Sequence, residues 1–298
     1  MSKKIFVGNY KGGVGKTTSV FSLATKLGYK GKKVLLIDLD PQSSLSEICM
    51  RKYSNSTRTL DQLEPQETLN YVFDMYIKKT EVYKSIKLDF ELKSLIKECG
   101  LVSFIPSSLF YQGSRGLDEL ALEMKSNVEY LSILKQFIDL VDLEYEFDYI
   151  FIDCPPSSNV ITQGAFLMCD LYLVPTILDG MSTNGVIHYI NTVNETYNKY
   201  CINDKDALFN KHFFGEKPKL IGIFYTFIRG QATYDDDKIN FNYSLQSIEF
   251  ENNIYIFKEY VNNYIDIARR IKSGELSRER DEYENLAKEL ILRLDQLG

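Results

Sequence analysis

Gly8-Asn9-Tyr10-Lys11-Gly12-Gly13-Val14-Gly15-Lys16-Thr17-Thr18, near the start of the chain, decides how the rest is read. Before it, Ile5-Phe6-Val7 reads as a short buried strand, and after it Ser19 to Leu27 carries the apolar spacing of a helix. Between them the glycines let the backbone turn tightly with its N–H groups facing inward. Strand, glycine-rich loop and helix N-terminus together make a pocket of N–H donors for phosphate. Lys16 adds a mobile positive charge, and the Thr17 hydroxyl stands where it can ligate Mg2+. Gly12, Gly13, Val14, Gly15, Lys16, Thr17 and Thr18 are the candidate phosphate-binding residues.

Two carboxylate motifs follow. Val34-Leu35-Leu36-Ile37 is a continuous apolar run, as suits a strand of a parallel sheet buried on both faces. It ends in Asp38-Leu39-Asp40-Pro41-Gln42, and the C-terminal edge of such a sheet is where ligands bind. Phe147 to Ile152 is a second apolar strand ending in Asp153, a Walker-B arrangement whose carboxylate holds a Mg2+ shell through water. Pro155 and Pro156 stop that strand.

The glycine loop departs from the usual G-x-x-x-x-G-K-[ST] pattern at Tyr10, and it carries a second, early lysine, Lys11. With VLLIDLDPQ at 34–42 and DLYLVPT at 170–176, the chain resembles the ParA/MinD family of deviant Walker-A P-loop ATPases, closest to the short ParA/Soj-type partition ATPases. The resemblance implies an α/β fold, with a mainly parallel central sheet and helices on both faces. It implies one ParA-type ATPase domain over 1–298, with a variable helical region at about 50–100. ATP and Mg2+ are the implied cofactors, and Lys11, Lys16, Asp38 and Asp40 the implied catalytic set. In that set Asp40 orients the attacking water and Asp38 joins the Mg2+ and water network with Thr17 and Asp153. With ordinary carboxylate pKa values near ~4, positioning water rather than abstracting a proton is the expected contribution. Lys11 is expected to reach across a face-to-face homodimer to the partner's nucleotide, a role comparable to an arginine finger. Thr226 and Phe227, after the last long apolar strand, are expected near the adenine.

Composition bounds these expectations. A 298-residue chain with 44% hydrophobic and 26% charged residues is long enough for one large α/β domain. The net charge of −6 confines any nucleic-acid site to a local basic patch. Five scattered cysteines, none in a C-x-x-C pair, give neither a disulfide framework nor a zinc site. The N-terminus lacks a signal-peptide apolar region, and no apolar run nears the ~18 residues of a membrane span, so a cytoplasmic location is expected.

Elsewhere, Leu60–Leu63, Leu69–Ile77 and Leu88–Ile96 have helix-like spacing, and Leu101 to Ile105 reads as a strand ending in Pro106-Ser107-Ser108. Leu117 to Leu143 reads as helical, 203–219 as a surface connection, and 282–297 as a closing amphipathic helix. His188 and His212 stand apart from any ligand cluster.

The function implied is partition of a plasmid or chromosome. The ATP dimer would bind DNA without base specificity, and a ParB-like centromere-binding partner would stimulate hydrolysis. So short a lead before residue 5 leaves no room for a DNA-reading domain, as in the short ParA type. At Glu251 to Tyr255 the family's basic P-R-N-V-R stretch is missing; Lys258, Arg269, Arg270 and Lys272 are the substitute cations for DNA, which would place the protein on the nucleoid. The alternative is a MinD-like, membrane-associated positioning ATPase. It needs a basic amphipathic C-terminal helix, whereas 279–298 holds six acidic residues against three basic ones, so membrane binding is not expected. An iron–sulfur electron donor finds no suitable thiolate placement. A biosynthetic ligase of related fold is opposed by Lys11 and DLDPQ.

Overall fold

The computed structural model describes residues 1–52, 58–82, 85, 87–178, 180–227, 239, 241, 243, 245, 254–262 and 282–297. Its centre is a seven-stranded sheet built from β1 (Lys3–Val7), β2 (Val34–Asp38), β3 (Lys97–Cys99), β4 (Val102–Ile105), β5 (Tyr149–Asp153), β6 (Leu171–Thr176) and β7 (Lys219–Tyr225). The order across the sheet is β3-β4-β2-β5-β1-β6-β7, and every pairing is parallel except β3 with β4. This is the expected mainly parallel α/β fold.

The apolar runs form strands because both of their faces are covered. Ile5 and Val7 point into one core with Val34, Leu36, Phe151 and Leu173. Phe6 points into the opposite core with Leu35, Ile37, Ile150, Ile152 and Tyr172. A period of two with both phases apolar is the pattern of a strand sandwiched between helices. On the first side lie α1 (Lys16–Tyr29), α2 (Ser44–Lys52) and the helix Glu282–Leu297. That last helix buries Tyr283, Leu286, Ala287, Leu290 and Leu294 against α1 and β7. On the second side lie the helices Leu69–Glu81, Ile133–Leu140, Val160–Met168 and Gly180–Tyr197.

Three expectations need correction. Leu88–Ile96 forms only one helical turn, Leu92–Leu95, before the chain enters β3, which folds back on β4 across Gly100 at φ 62°. A tight two-residue hairpin asks for such a left-handed glycine, so the turn chemistry outweighs the helical spacing. Leu117–Leu143 is broken: the helix Leu117–Glu123 ends at extended Met124, and Asn127 caps a new turn by accepting the Tyr130 N–H. The connection 203–219 contains the helix Ala207–Phe214, closed at Gly215 with φ 99°. Within the region at about 50–100, Leu69, Val72, Phe73, Tyr76 and Ile77 belong to the main core.

Past β7, the segment 254–262 runs parallel to it. Ile223 N–H donates to Tyr255 O, Phe257 N–H to Ile223 O and Val261 N–H to Tyr225 O, at 2.9 Å each. It thereby satisfies an edge that would otherwise face outward.

Candidate active site

Sheet topology brings the three motifs to one rung. In the register, Val7 of β1 pairs with Asp153 of β5, and Asp153 pairs with Asp38 of β2. The loops leaving β1 and β2 therefore flank the carboxylate of β5 at the C-terminal edge, the crevice that open α/β sheets use for ligands.

The glycine loop is set by its backbone. Gly15 is the N-cap of α1 at φ 78°, and Gly13 has φ 73°, conformations that L side chains rarely adopt. Among the described residues, no atom beyond the adjoining ones in the chain lies within 4 Å of the place where a Cβ on Gly12 or Gly13 would sit, so the loop rims open space. Lys16, buried, donates from Nζ to Lys11 O at 3.1 Å, which folds its ammonium back over the loop. Burial pulls the Lys16 pKa down, against the pull of Asp153, Asp40 and Cys154.

Asp38 and Asp153 are both buried. Asp38 Oδ2 accepts the Ser46 N–H and hydroxyl at 2.8 Å each, and Oδ1 accepts the Asp40 N–H at 3.1 Å. Burial pushes the Asp38 pKa up to about 7; Asp40 adds repulsion, and the Ser46 donors hold it back. Asp153 is pushed well above the carboxylate range by burial and by Asp38, with the Thr17 hydroxyl and Lys16 opposing. Neither Asp153 oxygen has a hydrogen bond of normal geometry among the described residues. A buried carboxylate without a donor is a costly arrangement unless a cation completes it. Two such oxygens beside the Thr17 hydroxyl fit a hydrated Mg2+, a hard ion that keeps several waters and takes one or two carboxylates. No cluster of three or more His, Cys, Asp or Glu ligands occurs among the described residues.

Asp40 is half-buried and makes its own turn, its Oδ1 accepting the Gln42 N–H at 2.9 Å. Ser43, at φ 52°, accepts the Ser107 hydroxyl at 3.0 Å, and the Ser107 N–H donates to Ser46 Oγ at 2.9 Å. Ser43, Ser46 and Ser107 thus brace Asp38 from α2 and β4. Sequence reasoning passed over them; the Ser107-Ser108 pair after β4 was the signal.

Thr226 lies against the loop: its hydroxyl is 2.9 Å from Val14 O and 3.1 Å from Thr176 O. Phe227, at φ 56°, puts its ring edge 3.4 Å from where a Gly15 Cβ would be. Both residues stand next to the start of α1. Thr18 is half-buried in the first turn of that helix.

Of the substitute cations, Lys258 is exposed, and Arg269, Arg270 and Lys272 lie outside the described residues. Lys258 borders a groove of about 350 Å3 against the C-terminal helix, with Tyr255, Lys288, Leu292 and Arg293. Arg293 covers the Tyr255 ring at 4.6 Å, and Glu289 accepts the Lys258 and Glu259 N–H groups. Lys288 and Arg293 are cations the sequence reading did not single out there. His188 packs on Tyr10, and His212 is exposed. All five cysteines are free and buried.

The AAA domain family matches residues 2–205. The sporulation initiation inhibitor protein Soj of Bacillus subtilis is 31% identical over 193 residues, 65% of this chain and 65% of Soj. The chromosome partitioning protein ParA of Myxococcus xanthus is 27% identical over 191 residues, 63% of this chain and 57% of that one. The matched part spans less than two thirds of each of these curated relatives. Among solved structures, cobyrinic acid a,c-diamide synthase of Mycobacterium smegmatis with an ATP analogue and magnesium has a TM-score of 0.69 at 20% identity, over 99% of this chain and 96% of that one. A Borrelia burgdorferi B31 protein assigned to plasmid partition and bound to AMPPNP has 0.67 at 21%, over 99% of both chains. The pNOB8 ParA bound to nonspecific DNA has 0.64 at 20%, also over 99% of both. At these identities the structures speak for the fold alone. With the family match running over more than half of its length, the chain belongs to the AAA domain family, among P-loop relatives that include Soj and ParA.

Proposed function

We propose that the protein is an ATP-hydrolysing partition protein that uses Mg2+ and ATP to time its own dimerisation on DNA. The observation that carries the reading is the buried Asp153 carboxylate, which has no hydrogen bond of normal geometry among the described residues, is paired in register with Asp38 and is flanked by the lysine-bearing loop. In this reading the N–H groups of residues 12–18 and the Lys16 ammonium hold the phosphates. Thr17 and Asp153 would hold the metal, with Asp38 in its water network, and the ion supplies neutralising charge for the phosphate oxygens. Asp40 positions a water for attack on the terminal phosphorus. The bond to the bridging oxygen breaks, and ADP and phosphate leave. Lys11 contributes its cation to the partner's nucleotide, so hydrolysis undoes the dimer that permits it. Thr226 braces the loop while Phe227 offers a ring face toward the base. Residues 1–298 act as one ATPase domain.

Relatives with the names Soj and ParA support partition as the use, and a ParB-like protein is the natural stimulating partner. Nonspecific DNA is the surface proposed, since the pNOB8 ParA is found on it, with Lys258, Arg269, Arg270 and Lys272 as the candidate contacts. Membrane positioning is disfavoured by a specific observation: the apolar face of Glu282–Leu297 is already buried against α1. No helix among the described residues is long and apolar enough to cross a membrane. A diamide synthase-like activity shares the fold, and Lys11 with the DLDPQ motif is what favours partition over it.

The test is retention on nonspecific DNA and on anionic vesicles with ATP, ADP or no nucleotide, alongside sizing by light scattering. ATP-only dimers held by DNA and released as salt rises are expected. Lys11→Ala is expected to bind nucleotide as a monomer yet fail to dimerise. An ATP-loaded protein that stays monomeric and ignores DNA would refute the proposal.

A further inference from the structure

The start of the glycine loop is fastened to β6 and to the helix that follows it, Gly180–Tyr197, the latter through an aromatic contact at the position where the loop departs from the ordinary pattern. Tyr10 packs at 5.1 Å between ring centroids on both His188 and Tyr189, nearly edge-on to the latter at 77°. Tyr189 is fully buried and also meets Phe6 and Phe166. Its hydroxyl lies 1.7 Å from where a Cβ on Gly8 would be, so the helix approaches the loop as closely as a glycine allows. Asn9, fully buried, donates from Nδ2 to Pro175 O at 2.9 Å and accepts the Lys11 N–H on Oδ1 at 3.0 Å. Residues 8, 9 and 10 are thus each docked on β6 or on the helix that follows it. Lys11 is the next residue, and its carbonyl receives the Lys16 ammonium.

We propose that Tyr10 is a positioning residue: by clasping His188 and Tyr189 it sets the direction in which Lys11 leaves the loop, so that the trans-acting lysine is aimed by the helix Gly180–Tyr197. This rests on the function proposed above. A glycine at position 10, as the ordinary pattern has it, offers no side chain for that helix to hold. The backbone of residues 9–11 then keeps the Asn9 hydrogen bonds and the Lys16–Lys11 contact but loses its aromatic anchor on that helix. An aromatic pair contributes about 0.5–1.5 kcal/mol beyond its buried area, enough to bias one loop conformer over others by roughly three- to tenfold. Nucleotide binding within one subunit depends on Lys16, Thr17 and the downstream N–H groups, none of which touches the clasp.

The inference separates two measurements that a merely structural role would move together. Tyr10→Gly and His188→Ala are expected to keep monomer affinity for an ATP analogue within about twofold of the parent while weakening ATP-dependent dimerisation by roughly three- to tenfold. Tyr10→Phe, which keeps the ring, is expected to restore it. In a Lys11→Ala background Tyr10→Gly is expected to add nothing, because the lysine it aims is gone. His188→Ala keeps the test open should Tyr10→Gly fold poorly. Normal dimerisation of His188→Ala, equal loss of nucleotide binding and dimerisation, or losses that add fully to those of Lys11→Ala would overturn the inference while leaving the parent reading intact. A parent protein that does not dimerise with ATP would bring down both.

Discussion

Lys16→Ala is expected to lower affinity for ATP by roughly two to three orders of magnitude. The ammonium is buried at the loop and desolvated, as its lowered pKa shows, and its hydrogen-bond acceptor is a loop carbonyl, Lys11 O. A desolvated cation facing a triphosphate contributes far more than a surface ion pair, because little water screens the attraction. The loss should appear almost wholly in affinity. Stability of the unliganded protein should change little, since relief from burying the ammonium is offset by the loss of its attraction to Asp153 and Asp40. Titration with a fluorescent ATP analogue checks the first part, and thermal unfolding without nucleotide checks the second. An affinity within threefold of the parent would mean that phosphate is held somewhere other than over residues 12–18.

The same contrast between charge and packing explains how far the sequence could be read. β1, β2, β5 and β6 are legible because each carries an apolar run in both phases; β2 and β5 end in a carboxylate, β6 carries a proline, and β1 runs into the glycine loop. The phosphate loop is legible because glycine, lysine and threonine there answer to backbone geometry and charge rather than to packing. The stretch 58–145 is harder: its helices are short and their ends are decided by tertiary partners, as where Asn127 starts a new turn and Gly100 folds β3 back. The supports of the site are harder still. Ser43 and Ser46 sit just past Asp38 at the start of α2, but Ser107 lies far along the chain, and only the pairing of β2 with β4 brings it to them. The Tyr10 contact is equally silent in sequence, because His188 and Tyr189 lie far along the chain on a helix that only the fold brings to the loop.

Asp38→Asn is expected to raise the thermal stability of the nucleotide-free protein at pH 8 by several degrees, and to lose that advantage near pH 4. The folded carboxyl has its pKa raised by burial from the ordinary 3.8 to about 7, so the native state binds this proton more tightly than the unfolded chain does. Between about pH 4 and 7 the folded form still holds the proton while the unfolded form has released it. Unfolding therefore gains free energy as pH rises, and stability falls across that window. Above about pH 7 both states are ionised and the loss levels off. The rise from 3.8 to about 7 caps the effect at about 4 kcal/mol. Asn stays neutral throughout and can still accept the Ser46 N–H on its oxygen. Its amide NH2 faces the Asp40 N–H, which leaves donors unmatched on both sides at a cost of about 1–3 kcal/mol. The net gain at pH 8 is then about 1–3 kcal/mol, or roughly 2–4 °C per kcal/mol for a chain of this size. Parallel melts of the parent and Asp38→Asn from pH 4 to 8 cancel the contribution of titrating groups remote from the site and leave that of Asp38 together with the shift its charge imposes on Asp153. A constant gap across that range would show that the carboxyl is not protonated at rest. Adding Mg2+ and ATP should close the gap at pH 8 by stabilising the parent more than the variant, because the strained, proton-hungry carboxylate pair is what a cation relieves.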